Sequence, residues 1–227
     1  MLTAIIVAAG SSKRAGFDKL LAKIAGRPVI HHTLAAFEKA SCVSDVLVVS
    51  RETVAMRHFI VKTNLRKLRK VVRGGVRRQD SVLAGLNALD DEVEFVAVHD
   101  AARPLITSEQ IERAFEQCCV HGSAALAQPV NDTLKRADAD LLVVGSVDRH
   151  QIYAMQTPQI FERELIEDAY SAVYAENISV TDEVSAVERL GHKIALVLND
   201  DFNFKITYQR DLPVADFILR ERAKDRR

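Results

Sequence analysis

Apolar positions along this chain follow two alternating rhythms. Short, nearly continuous apolar runs occur at TAIIVAA (3–9), DVLVVS (45–50), RKVV (69–72), VEFVAVH (93–99) and AALAQPV (124–130). Runs of this length without polar alternation read as strands buried on both faces. Longer segments with helical spacing lie between them: VIHHTLAAFEKA (29–40), a stretch over about 52–64, and RQDSVLAGLNAL (78–89), whose Val82, Leu83, Leu86 and Leu89 share one face. Thr107 opens a further helix, with Gln110 completing a T-x-x-Q capping box. This βαβαβαβ order predicts a mostly parallel sheet with helices on both faces.

The rhythm breaks after Pro129. NDTLKRADADLLVVGSVDRHQIYAMQTPQIF carries short extended segments and Asp/Gly turns but no helical period, and predicts a β-arm over about 130–155. Leu141, Leu142, Val143 and Val144 make that arm apolar. Apolar edges without a partner are a liability, so the arm predicts a homodimer with arms exchanged or packed together; the alternative is an arm folded back on its own domain. Helices over about 162–176 and 181–190, a strand KIALVLN (193–199), a short strand at NFKIT and a last helix over about 210–225 complete the pattern. Without repeats or a low-complexity linker, residues 1–227 read as a single domain.

Composition narrows the partners. With 31 Lys+Arg against 31 Asp+Glu, the formal net charge is zero, which argues against a general nucleic-acid or membrane-surface role. From Arg57 to Arg78 there are nine Lys/Arg and no Asp/Glu, but Phe59 is the one aromatic there for base stacking, so the run reads as a solvated face, with Arg78 near a nucleotide at most. No apolar run approaches membrane-spanning length and no leader pattern opens the chain. Cys42, Cys118 and Cys119 have no metal-binding spacing and read as reduced thiols, which places the protein in the cytoplasm.

The candidate chemistry begins where the first strand ends, in VAAGSSKRAGFDK (7–19). Gly10 and Gly16 have the wrong spacing for a Walker loop, and Ser12 breaks a dinucleotide fingerprint. What remains is a strand, a glycine turn and several cations, an arrangement able to cradle phosphates through backbone N–H groups and charge. An exposed basic loop is the competing reading.

AAG-x-x-x-R with a nearby lysine resembles the signature of sugar-phosphate and polyol-phosphate cytidylyltransferases. GG-x-x-R-x-DSVLAGL at 74–86, HDAARP at 99–104, DTLKR at 132–136, VDR at 147–149, QTPQIF at 156–161, TDEVSAVE at 181–188 and N-x-K-I-T at 203–207 follow in order. Together they resemble the 2-C-methyl-D-erythritol 4-phosphate cytidylyltransferase family of the non-mevalonate isoprenoid pathway, from Ile5 to about Leu219. The resemblance implies a three-layer α/β/α, Rossmann-like nucleotidyltransferase fold with a protruding β-arm. It also implies CTP and methylerythritol phosphate as substrates and Mg²⁺ as the metal.

By the same resemblance Arg14, Lys19 and Lys205 are catalytic, Arg14 and Lys19 holding the triphosphate and the charge of the transition state and Lys205 placed on the substrate, with Lys13 accessory and Gly16 freeing the turn. Ala8, Ala9, Gly10, Gly75, Ser81 and Asp100 bind the nucleotide. Asp100, Arg103, Thr133, Arg149, Thr157, Thr181 and Lys205 bind the substrate, Arg149 from a partner subunit, and Asp100 touches the metal, which is held mainly by the CTP phosphates. Lys135 is a weaker arm contact and His99 a structural residue. Two positions depart from the family's habit: Leu20 replaces a usual Gln, and Val76 replaces an acidic residue, so backbone contact is expected there. Taken alone, Ser81 also fits a first-turn helix residue, Asp100 a turn residue, Thr181 an N-cap, and Thr133, Arg149 and Lys205 surface roles.

Two other functions compete. A ribitol-5-phosphate cytidylyltransferase would read AGG rather than AAG in the first loop and lack HDAARP. A non-catalytic nucleotide- or RNA-binding module would use the basic run, and Arg14, Lys19, Asp100 and Lys205 weigh against it.

Overall fold

The computed structural model describes residues 1–10, 17–61 and 63–224. In chain order the elements are β1 (Leu2–Ala8), β2 (Lys23–Ile24), β3 (Arg27–Pro28), α1 (Val29–Lys39), β4 (Val43–Ser50), α2 (Thr53–Val61), β5 (Leu68–Arg73), α3 (Arg78–Leu86) and β6 (Phe95–Asp100). There follow α4 (Ser108–His121), β7 (Ser123–Pro129), β8 (Leu134–Ala137), β9 (Val143–Val147), β10 (Tyr153–Glu162), α5 (Arg163–Ala175), α6 (Glu183–Glu188), β11 (Ala195–Leu198) and α7 (Asp211–Lys224).

Seven strands form one sheet in the order β11-β7-β10-β6-β1-β4-β5. All neighbours run parallel except β10, which is antiparallel to both β6 and β7. Because successive strand residues face opposite sides, the two cores split residue by residue. Ile6, Ala97 and Ile160 pack with Phe37 of α1, Ile111 of α4 and Ile218 of α7. Their neighbours Ile5, Val98 and Phe161 pack with Val82 of α3, Ile166 of α5 and Val187 of α6. That is the expected α/β/α sandwich. Helix α4 begins at the expected capping box: Thr107 Oγ1 accepts from Gln110 N–H at 3.3 Å, and Thr107 N–H donates back to Gln110 Oε1 at 3.0 Å.

Three details differ from the sequence reading. The arm is the separate β8–β9 hairpin, whereas Tyr153–Glu162, partly assigned to it, is a full strand of the main sheet. A lone antiparallel strand with a Pro in its middle carries too little periodicity to announce itself. NFKIT is not a strand: the segment runs alongside the core, tied by Ile206 N–H to the Ala102 carbonyl at 2.8 Å. Thr181 is not the N-cap of α6; Asp182 is, accepting from Ser185 N–H at 3.0 Å. A carboxylate one residue on is the stronger acceptor for an N-terminal N–H.

Candidate active site

β6 ends at Asp100, beside β1 in the middle of the sheet, with Val7 opposite it. The carboxyl ends of strands in an open α/β sheet are where ligands bind, and here three cations converge on one carboxylate. Lys205 Nζ donates to Asp100 Oδ2 at 2.8 Å, Arg78 Nε donates to Oδ1 at 3.3 Å, and Arg103 Nε lies 3.7 Å from Oδ2. Burial alone would raise the Asp100 pKa. The charges of Arg78, Lys205 and Arg103 outweigh it and hold the carboxyl well below the usual range.

Asp100 is fixed from behind as well. Its N–H donates to Thr157 Oγ1 at 3.1 Å, and Thr157 Oγ1 lies 3.0 Å from His99 Nδ1. His99 Nε2 in turn lies 3.3 Å from the Arg103 carbonyl. These partners suit a neutral imidazole that accepts from the hydroxyl and donates to the carbonyl. Burial, with the nearby Arg103 charge, pushes the His99 pKa down to about 3. His99 is therefore a structural group, as the sequence suggested. Arg103 Nη1 donates to the Asn203 carbonyl at 2.7 Å, and Asn203 Nδ2 donates to the Thr157 carbonyl at 2.9 Å. Among the described residues, Arg103 Nε and Asn203 Oδ1 are buried without a hydrogen-bond partner.

Lys19 belongs to the same neighbourhood: its Nζ donates to the Ile206 carbonyl at 3.0 Å, next to Lys205. Arg14, Lys13 and Gly16 lie outside the described residues.

The second half of the site is the turn between β5 and α3. A Cβ on Gly74 would stand 2.5 Å from the Ala9 Cβ and 2.9 Å from Ser81 Oγ, so this turn packs directly on the end of β1 only because Gly74 has no side chain. Gly75 N–H donates to Ser81 Oγ at 3.2 Å, and that hydroxyl donates to the Arg77 carbonyl at 3.2 Å. Ala9, Gly75 and Ser81 are thus adjacent, with Ala8 and Gly10 flanking Ala9 in the chain. Val76 is 94% exposed.

The remaining expectations fall farther out. Thr133 and Arg149 are exposed at the base of the hairpin, where Arg149 donates to the Asn131 carbonyl; among the described residues neither bonds to the Asp100 cluster. Lys135 donates to Ser146 across the hairpin at 2.7 Å. Thr181 is exposed, its hydroxyl 3.3 Å from Ser185 Oγ.

Sequence reasoning understated Arg78. It sits at the first position of α3 and donates through both terminal nitrogens to Glu183, at 2.6 and 3.0 Å, as well as to Asp100. The signal was available: a cation in a helix's first turn opposes the macrodipole and needs an anionic partner. Other members of the basic run are also paired, Arg69 with Asp45, Lys70 with Asp90 and Arg77 with Asp80. Among the described residues no cluster of three His, Cys, Asp or Glu stands ready to hold a metal, and no helix is long and apolar enough to cross a membrane.

Known proteins place this arrangement. The family model for 2-C-methyl-D-erythritol 4-phosphate cytidylyltransferase matches residues 2–221. The enzyme of that name from Caldanaerobacter subterraneus subsp. tengcongensis is 40% identical over 225 residues, covering 97% of this chain and 99% of the relative. The one from Alkaliphilus metalliredigens is 38% identical over 226 residues, covering 97% and 94%. Among solved structures, 4-diphosphocytidyl-2C-methyl-D-erythritol synthase from Anaerococcus prevotii superposes with a TM-score of 0.85 at 28% identity, over 97% of this chain and 96% of that one. Matched over nearly its whole length by the family model, this chain belongs to the 2-C-methyl-D-erythritol 4-phosphate cytidylyltransferase family.

Proposed function

We infer that the protein transfers CMP from CTP to 2-C-methyl-D-erythritol 4-phosphate, releasing pyrophosphate and leaving 4-diphosphocytidyl-2-C-methyl-D-erythritol for isoprenoid precursor synthesis. The observation that carries this reading is the family match over almost the entire chain, joined to a buried Asp100 ringed by Lys205, Arg103 and Arg78 at the strand ends.

In the reaction an oxygen of the methylerythritol phosphate attacks the α-phosphorus of CTP. The new P–O bond forms as the bond to the α–β bridging oxygen breaks, and both electrons leave with pyrophosphate. The nucleophile is already an anion, so no general base is needed. The protein's work is to align two polyanions and offset the charge that gathers on the equatorial oxygens and the leaving group. Arg14, Lys19 and Lys205 take that part. The Ala8–Gly10 backbone, Gly75 and Ser81 read the cytosine, whose amino and carbonyl groups match backbone acceptors and donors. Asp100 holds the ribose side, and Arg103, Thr157 and Thr181 line the second substrate. Arg103 Nε and Asn203 Oδ1, buried without a hydrogen-bond partner among the described residues, are the kind of polar groups a ligand or ordered water satisfies.

Mg²⁺ would be held chiefly by the CTP phosphate oxygens, with Asp100, whose carboxylate already faces Lys205, Arg78 and Arg103, as the single hard protein donor. Bound there, the ion would neutralise triphosphate charge. Thr133 and Arg149 complete the substrate site in a homodimer built through the arms, Arg149 reaching the phosphate from a second copy. A reaction on diffusible substrates, within one catalytic domain, suits a cytoplasmic enzyme.

Pyrophosphate release with CTP and Mg²⁺ tests the reading, comparing methylerythritol phosphate with ribitol 5-phosphate in wild type and Lys19→Ala. Release with the first alone, lost in the variant, is expected. Release with ribitol phosphate would move the protein to the sister activity. A folded protein silent with both would return the binding-module alternative.

A further inference from the structure

Arg78 and Glu183 form a pair that the reaction, as described, does not use. Glu183 is fully buried, at 0% exposure, at the first position of α6. Its Oε1 accepts from Arg78 Nη1 at 2.6 Å and from the Tyr170 hydroxyl at 3.0 Å; its Oε2 accepts from Arg78 Nη2 at 3.0 Å. The Glu183 N–H donates to Gln159 Oε1 at 3.1 Å, which fixes the backbone too. Both terminal nitrogens of Arg78 are thereby committed to Glu183, and only its Nε faces Asp100. The result is an alternating series, Glu183, Arg78, Asp100, Lys205, running from the core to the cleft.

The two cations that hydrogen-bond to the Asp100 carboxylate differ in kind. Arg78 is a planar fork locked at its far end by a bidentate carboxylate. Lys205 is a flexible point charge with a more open side chain, 35% exposed against 25% for Arg78. When a phosphate enters the site, Lys205 is the partner that can swing to it. Asp100 then loses one of its cations at the moment its position matters. Arg78 cannot follow, because leaving would strand a buried Glu183 charge, a costly event.

We propose that Arg78, clamped by Glu183 and Tyr170, is a positioning residue that keeps the Asp100 carboxylate in place while Lys205 turns to the substrate. This rests on the reading that Asp100 and Lys205 face the substrates. Burial and the Glu183 charge push the Tyr170 pKa up, which keeps its hydroxyl a donor throughout the working range.

The test compares kcat and KM for both substrates in wild type, Arg78→Gln, Arg78→Lys, Asp100→Asn, the double variant Arg78→Gln/Asp100→Asn, and Tyr170→Phe, with a thermal melt of each. Arg78→Gln should lose activity by about 10- to 100-fold, a cost typical of a misplaced group, in the same parameter that Asp100→Asn lowers. The double variant should be no more than about threefold worse than Asp100→Asn alone, because the two act through one carboxylate. Arg78→Lys, able to meet Glu183 or Asp100 but not both, should recover only part of the loss. Tyr170→Phe should show a smaller loss in that same parameter. Multiplying losses in the double variant, or wild-type kinetics in a folded Arg78→Gln, would overturn the proposal. If Arg78→Gln does not fold, wild-type kinetics in both Arg78→Lys and Tyr170→Phe would overturn it instead. A wild type without turnover overturns the reaction itself, and the inference falls with it; a working wild type with independent losses overturns the inference alone.

Discussion

Asp100 and the β8–β9 hairpin lie at opposite extremes of the molecule's chemistry. At the end of β6 a carboxylate is buried, three cations face it, and Thr157, His99 and Asn203 hold the backbone around it. On the hairpin, Leu141, Leu142, Val143 and Val144 stand exposed, and two strands pair only with each other. In the first region the Asp100 and Glu183 carboxylates meet cations of their own chain. The second exposes apolar surface that the described residues leave uncovered. The contrast shows why one sheet can present a rigid pocket while the surface expected to join two copies projects beyond it.

The largest effect belongs to the pocket. Lys205→Ala should lower CTP turnover by about 10²- to 10³-fold, the usual cost of removing one charge-stabilising group. Initial-rate assays check this, and a loss under tenfold would remove Lys205 from the chemistry. Next come paired truncations of equal chemistry. Leu126→Ala, in the sheet core, should cost about 2–5 kcal/mol by denaturant unfolding. Leu142→Ala, 65% exposed, should cost under about 0.5 kcal/mol in the monomer. Equal costs would abolish the distinction between the regions.

Acid sharpens it further. His99 is neutral in the folded protein, with a pKa of about 3, whereas in the unfolded chain it protonates near 6.5. The unfolded state therefore binds the extra proton first, so stability from this group is present above about pH 6.5 and drains away as pH falls toward 3. The expected loss is on the order of a few kcal/mol, and His99→Gln should flatten it; denaturation curves at pH 7 and pH 4 decide. On the hairpin, Leu142→Asp should shift the protein toward monomer in sedimentation without lowering the monomer's melting temperature, and an unchanged assembly would separate the arm from dimer formation. The smallest change is expected at Val76→Ser, with kcat/KM within about twofold, since that side chain stands in solvent.

Much of this architecture was legible because both rhythms are loud. Continuous apolar runs such as those around Ile5 and Val98 are typical of strands covered on both faces, and Thr107 with Gln110 marks a helix start. β10 was half missed because antiparallel insertion between β6 and β7 leaves no local mark. NFKIT looked like a strand because extended chain and strand share one alternation; only a hydrogen-bonded neighbour distinguishes them. At the site, Asp100, Lys205, Arg103 and Thr157 were visible as motif positions and the structure brings them together. Arg78 was hidden inside a basic run, and Glu183 among ordinary first-turn acids. Their pairing spans 105 positions in sequence, a separation no local pattern encodes.

Strand β10 carries one further consequence. It leaves the hairpin at Tyr153 and, four residues later, delivers Thr157 to Asp100. Residues inserted at the Asp138–Leu142 turn should lengthen the hairpin without moving Thr157, and would alter the arm expected to join two copies. Thr157 lies in the stretch between Met155 and Gln159 where the β7–β10 register shifts, and a single residue added at Met155 should displace its hydroxyl from Asp100. The hairpin tip is therefore constrained by the surface expected to join two copies, and its root by the aim of Thr157 at Asp100.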